Sequence, residues 1–159
     1  MKKAAKHLAA LVLAMAMLLA MTACSSSGEL KYTKEIEDVM GRLTETSKTF
    51  ATDVKTMFND LTDENRTTVM GDLDELEKVF KDIAALKAPK KYEEVQKLLN
   101  ESSESALKGI EIYRTELGAV TAETMDKAFL ERVTVGDDCL KEAQSKMLEA
   151  ANLAEDIES

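Results

Sequence analysis

Few residues of this sequence carry side chains suited to acid–base, nucleophilic or metal chemistry. His7 is the single histidine, and Cys24 and Cys139 are the two cysteines. Serine and cysteine triads need a histidine as general base, and most zinc, copper and iron sites use imidazole. His7 lies in an N-terminal leader that we expect to be removed. We therefore predict no catalytic residue, no metal site, no cofactor and no enzymatic activity.

Two acidic clusters offer oxygen atoms of the kind that calcium prefers. They comprise Asp72, Asp74, Glu75 and Glu77 in the first, and Asp137 and Asp138 in the second. Neither has the D-x-[DN]-x-[DN]-G spacing of an EF-hand loop, so we interpret both as solvated helix faces. Cys139 would be the single thiol left if Cys24 is acylated, and we interpret it as a small apolar side chain on the flank of a helix.

The N-terminal residues have the three-part layout of a secretory signal peptide. A basic start with Lys2, Lys3 and Lys6 precedes an apolar run of 13 residues over 8–20. A transmembrane helix needs roughly 20 residues, so this run predicts export rather than a retained span. The polar residues 25–28 that follow the leader are typical of a flexible tether.

The last residues of this leader, Met21-Thr22-Ala23-Cys24, resemble the lipobox of bacterial lipoproteins. The resemblance implies cleavage before Cys24 and a lipid on its thiol, which would anchor the protein to the outer face of the cytoplasmic membrane in the bacterial cell envelope. Met21 stands where this family usually has leucine. The rest of the chain resembles the small helical lipoproteins of unknown function that are common in Gram-positive bacteria. Two or three acyl chains suffice for stable anchoring.

The body of the chain carries four runs of apolar residues spaced alternately by four and three positions. The first run is Ile36, Met40, Leu43, Ser47, Phe50, Val54, Met57 and Leu61, apolar at every position but Ser47. The second run extends from Val69 to Ile83, the third from Tyr92 to Leu117 and the fourth from Phe129 to Ile157. This spacing predicts amphipathic helices, and short loops between them predict antiparallel neighbours. We therefore predict an all-α fold, an antiparallel up-down four-helix bundle that follows the cleaved signal peptide.

The predicted organisation has three parts. They are a lipoprotein signal peptide at 1–23, a lipidated cysteine with a flexible tether at 24–31, and a helical bundle at 32–159 with helices at about 32–59, 63–87, 90–118 and 122–157. Pro89 is predicted as the first residue of the third helix, and Thr121 as the cap of the fourth. Gly136, after three β-branched residues, is a position where the fourth helix could break.

One level of the predicted bundle carries small or polar residues on several helices. Folding the chain back at each loop places Ser47, Ser102, Ala106 and Gly136 near the middle of the rod. One interpretation is a cavity that admits a small apolar or amphipathic ligand, since bundle interiors commonly hold such sites. The other is close helix packing, with serine hydroxyls bonded to backbone carbonyls one turn back.

The charge of the chain limits its partners. After the leader it has 18 basic and 30 acidic residues, a charge of −12, so we predict no binding to nucleic acid. The leading hypothesis is a non-enzymatic lipoprotein that binds a protein of the cell envelope. The alternatives are a small-ligand or sensory module, and a homo-oligomer formed through apolar residues beside the seams, namely Leu98, Leu107, Leu130, Leu148 and Leu153.

Overall fold

The computed structural model describes residues 27–158, and this part of the chain is helical without any strand. The helices are α1 (Ser27–Asn59), α2 (Asp63–Ala85), α3 (Glu93–Ala119) and α4 (Lys127–Glu158), with one turn of 3-10 helix at Lys90–Tyr92. The predicted all-α class and helical bundle are confirmed. The predicted signal peptide and Cys24 lie outside the described residues. None of the described helices is both long and apolar enough to cross a bilayer.

The four apolar runs form the core. Their side chains are buried except at two ends, where Leu61 and Ile157 are half-buried. Each helix has one apolar face, and that face leaves water only when it packs against the apolar faces of the neighbouring helices. This burial stabilises the bundle. Leu98, Leu107 and Leu153 widen this core, whereas Leu130 and Leu148 stay exposed.

Helix α1 begins at Ser27, whereas the sequence predicted a flexible tether up to residue 31. Tyr32 explains the earlier start. Its ring packs 5.5 Å from the ring of Tyr92, and its phenol donates a hydrogen bond of 2.9 Å to Gln96 Oε1. The apolar stripe thus extends one turn back from Ile36, and burial of that turn favours the helix.

Helices α3 and α4, in contrast, begin later than predicted. Pro89 precedes the 3-10 turn and accepts a hydrogen bond from Tyr92 N at 2.8 Å, so α3 starts at Glu93. Asp126, not Thr121, caps α4, since its carboxylate accepts from Phe129 N at 2.8 Å. Thr121 instead forms a hydrogen-bonded turn with Thr124. Gly136 does not break α4, which is continuous from Lys127.

Contacts between helices define two ends of the bundle. At the proximal end, the start of α1 and the α2–α3 connection meet through Tyr32 and Tyr92. At the distal end, the ring centres of Phe58 and Phe129 lie 6.3 Å apart. Arg66 also donates to Val120 O there, at 2.7 Å, which brings the α1–α2 and α3–α4 connections together.

Candidate functional site

Helices α3 and α4 approach closely at two glycines near the middle of the bundle. A Cβ atom added to Gly109 would lie 3.0 Å from the carbonyl oxygen of Gly136. One added to Gly136 would lie 2.8 Å from Cε1 of Tyr113. The missing side chains therefore let the two backbones come together and let the tyrosine ring cover Gly136. At this level the geometry favours close packing over a cavity.

Tyr113 is the central polar group of this contact. Its buried phenol donates a hydrogen bond to an Asp137 carboxylate oxygen, and its ring lies 6.2 Å from that of Phe50 on α1. Burial, followed by the hydrogen bond and charge of Asp137, raises the pKa of the phenol. Tyr113 is therefore a fixed donor that connects α3 to α4, rather than an acid or base near neutral pH.

The other predicted pocket residues are buried but do not form one layer. The hydroxyl of Ser102 donates to Ala143 O on α4 at 2.8 Å, not to a carbonyl one turn back. Ala143 lies two turns from Gly136, roughly 10 Å along the helix, and Ser102 lies equally far from Gly109. Ala106 is fully buried in the core between these levels.

Ser47 differs from the other buried serines. Its side chain is 0% exposed, and its hydroxyl has no hydrogen-bond partner in the described structure. A buried hydroxyl without a partner costs roughly 1–3 kcal/mol. Ser47 is thus the one predicted pocket residue whose side-chain polar atom is buried without a partner in the described structure.

A buried network at the proximal end was not predicted. Gln96 is 7% exposed, and its Oε1 accepts from the Tyr32 phenol. Its Nε2 donates to Ile83 O at 2.9 Å and to Asn100 Oδ1 at 2.8 Å. The amide thereby joins three helices and satisfies a carbonyl in the last turn of α2. The only signal in the sequence is a polar side chain directly after the apolar Val95.

Two carboxyl groups, Asp53 of α1 and Asp72 of α2, lie close enough for one to affect the ionisation of the other. Burial, then the charge of Asp53 and a hydrogen bond with it, raise the pKa of Asp72 to about 6. One oxygen of Asp72, Oδ2, is buried without a hydrogen-bond partner. Two ionised carboxylates have no proton to share, so Asp72 binds a proton more tightly in the folded protein than in the unfolded chain.

The acidic clusters are less free than the sequence suggested. Arg114 on α3 binds both Asp74 and Glu77 of α2, and these ion pairs fasten the two helices together. In the second cluster, Asp137 accepts from Tyr113, and Asp138 pairs with Lys141 at 2.7 Å. These carboxylates contribute to helix contacts as well as to the solvated surface.

The side chains that could bind metal and the one free thiol occupy separate places in the described part of the chain. No group of three or more histidine, cysteine, aspartate or glutamate side chains there could hold a metal ion. Cys139 is a half-buried free thiol on α4, and a Cβ added to Gly109 would lie 3.3 Å from its Cβ. It packs on the flank of the glycine contact.

Comparison with known proteins gives one match. No curated protein and no solved structure matches the chain. A family described as a domain of unknown function, DUF7018, matches residues 27–144. The match begins at the first residue of α1 and ends inside α4, so it contains the glycine contact and the carboxyl pair. Because it covers more than half of the sequence, the chain belongs to the DUF7018 family.

Proposed function

We propose that this protein is an exported lipoprotein, held by a lipid on Cys24 at the outer face of the cytoplasmic membrane. The observation that carries the anchor is the sequence Met21-Thr22-Ala23-Cys24 after a basic and apolar leader. The start of α1 at Ser27 supports it, because the folded bundle then follows almost directly after the lipid-bearing residue.

The proposed architecture is an antiparallel up-down bundle. Its support comes from pairs of side chains in contact between two helices. From pair to pair, the residue number increases on one helix and decreases on the other, as it does when neighbouring helices are antiparallel. Glu116 of α3 pairs with Arg132 of α4, and Glu101 pairs with Lys146 further along. Between α1 and α2, Arg42 pairs with Asp82 at 2.6 Å, and burial, then the charge of Asp53, raise the pKa of Asp72.

The proposed activity is binding of a cell-envelope protein through the helix faces, without enzymatic chemistry or a cofactor. The Tyr113 ring fills the interior at the glycine contact. We therefore assign the binding function to the outer helix faces rather than to the interior at this level. On α4 that surface includes Val135, 55% exposed, and Leu130, 42% exposed. Burial of these side chains against a partner would remove apolar area from water, which favours association.

Site-specific photocrosslinking in intact cells tests both parts of the proposal. A photoreactive residue replaces Val135 in one strain and the exposed Thr52 of α1 in a control strain. We expect a discrete protein adduct from position 135, a weaker adduct from position 52, and recovery of the protein with membranes. In a Cys24→Ala background we expect an unprocessed or secreted form and loss of the adduct. A processed Cys24→Ala product that still partitions into detergent would refute the lipid anchor.

A small-ligand module is the second candidate, and the unpartnered hydroxyl of the buried Ser47 favours it. Native mass spectrometry of protein extracted from its own membranes separates the two. An extra mass that denaturation removes, and that Ser47→Ala abolishes, would favour ligand binding. A mass equal to that of the lipidated chain would favour the protein-binding role.

A further inference from the structure

The connections between helices carry opposite charges at the two ends of the bundle. The α2–α3 connection, residues 86–92, has Lys87, Lys90 and Lys91 and no acidic residue. We call it the lysine loop. The two connections at the distal end, residues 60–62 and 120–126, are acidic and have no basic residue; they contain Asp60, Glu123 and Asp126. All six side chains are exposed, so the connections at the two ends differ in charge, although Glu155 and Asp156 near the end of α4 add carboxylates at the proximal end.

The lysine loop lies at the end where the described chain begins. Tyr92, its last residue, packs 5.5 Å from Tyr32 in the second turn of α1. Lys87 also lines an open groove of about 620 Å³ with Lys31, Lys34 and Arg42, and the same groove holds the carboxylates of Glu35, Asp38 and Asp82. The three lysines of the loop and two lysines of α1 therefore lie at this end of the bundle.

The charges of the lysine loop are available to an external anion. Within residues 27–158, none of its three lysines forms an ion pair, although Lys91 Nζ lies 5.6 Å from the centre of the Tyr92 ring. Glu93 and Glu94 follow the loop, but they occupy the first turn of α3, where the helix dipole favours carboxylates, and Glu94 also pairs with Lys97 at 3.8 Å. The loop itself keeps its positive charge.

We propose that the lysine loop rests on the anionic headgroups of the membrane and holds the bundle upright, with the acidic distal end pointing outward. This inference rests on the proposed lipid anchor at Cys24. Three residue steps separate Cys24 from Ser27, and an extended chain spans at most roughly 10 Å over that length. The start of α1 then lies about one Debye length from the lipid surface, where lysines are attracted and carboxylates repelled.

The test is amine footprinting of the mature lipidated protein in vesicles. One vesicle set contains phosphatidylglycerol mixed with phosphatidylcholine, and the other contains phosphatidylcholine alone. We expect acetylation of Lys87, Lys90 and Lys91 to be about tenfold slower on the anionic vesicles and to recover at high salt. Lys127 at the start of α4, on the distal end, should react equally on both.

Matched triple variants separate the loop from net charge. In Lys87→Gln/Lys90→Gln/Lys91→Gln, we expect Lys31 and Lys34 to lose their protection on anionic vesicles. In Lys48→Gln/Lys55→Gln/Lys108→Gln, which removes the same charge from exposed positions on α1 and α3, the lysine loop should stay protected. Equal loss in both variants would overturn the proposal.

Three further results have distinct meanings. Protein that floats with the vesicles while its lysine loop reacts at full rate would overturn the docking but leave the anchor intact. Protein that does not float would overturn the anchor, and the docking with it. Protection in the cell's own membranes but not in anionic vesicles would overturn lipid docking in favour of a protein partner.

Discussion

At the scale of single residues, two glycines and one tyrosine determine how α3 meets α4. The absence of a side chain at Gly136 has a cost, because glycine is about 1 kcal/mol less favourable than alanine in a helix. That cost is offset by Tyr113, whose ring occupies the space beside Gly136 and whose phenol hydroxyl donates a hydrogen bond to Asp137. Packing does not require glycine at position 71, since nothing lies within 4 Å of a Cβ added to Gly71.

These environments predict opposite effects of one substitution. Gly136→Ala should lower the free energy of unfolding by about 1–2 kcal/mol, because overpacking against the pinned ring exceeds the gain in helix propensity. Gly71→Ala, the control, should raise it by up to about 1 kcal/mol. Urea unfolding followed by circular dichroism measures both. A stabilised Gly136→Ala would show that the ring moves aside at little cost.

The Asp53–Asp72 pair makes stability depend on pH. The folded state raises the pKa of Asp72 from 3.8 to about 6, so it binds a proton more tightly than the unfolded chain does. The resulting stabilisation is fully present below pH 3.8 and is lost as the pH rises through 6. Ionisation of the pair then costs roughly 1 kcal/mol after allowance for solvent screening.

Asp72→Asn should therefore stabilise the protein at pH 7, because an amide donates to Asp53 without adding charge. The gain of roughly 1 kcal/mol should shrink towards zero at pH 4. Asp38→Asn, at an exposed carboxylate on the same pair of helices, is the control and should show little difference between the two pH values. Equal gains from Asp72→Asn at both pH values would exclude the shared proton.

At the scale of elements, local hydrogen bonds at the helix ends decide where each helix begins. Thr62 caps α2 by accepting from Asn65 N at 3.1 Å, and Asp126 caps α4 in the same manner. Thr121 has a side chain equally suited to capping, but the turn that it forms with Thr124 uses its hydroxyl. The two capping residues, Thr62 and Asp126, fit the preference for small oxygen-bearing side chains at helix starts.

The cap of α4 gives a direct test of this assignment. Asp126→Ala should lower the free energy of unfolding by about 1 kcal/mol and speed amide exchange in the first turn of α4. Thr121→Ala removes only hydrogen bonds of an exposed turn and should cost less than half as much. Hydrogen exchange with mass spectrometry resolves the two. A larger effect at Thr121 would place the functional start of α4 earlier in the chain.

At the scale of the whole molecule, the distribution of charged residues bears on membrane binding in a way that the net charge does not. Residues 24–159 carry a net charge of −12, which alone would repel an anionic membrane. The distribution is uneven, with three lysines in the connection at the proximal end and acidic residues in the connections at the distal end. With the proposed lipid on Cys24, this distribution would orient the protein at the membrane as well as attach it.

The sequence by itself determined the helical class, because apolar residues at alternating spacings of four and three allow burial only as helices. The four stripes that it indicated are the stripes that form the core. The leader and Cys24 remain predictions from sequence, since they lie outside the described residues. Helix bounds were predicted less well, because a cap depends on which of two nearby oxygen atoms reaches a free amide.

Only the tertiary structure decided which residues meet across helices. Spacing along one chain does not determine the offset between neighbouring helices, so the sequence placed Ser102 level with Gly136 although Ser102 bonds to Ala143. The pairing of Asp53 with Asp72, the joining of three helices by Gln96 and the closeness of the lysine loop to the start of α1 depend on the same offset. Each arises from contacts between residues that are distant in sequence, which no periodic pattern records.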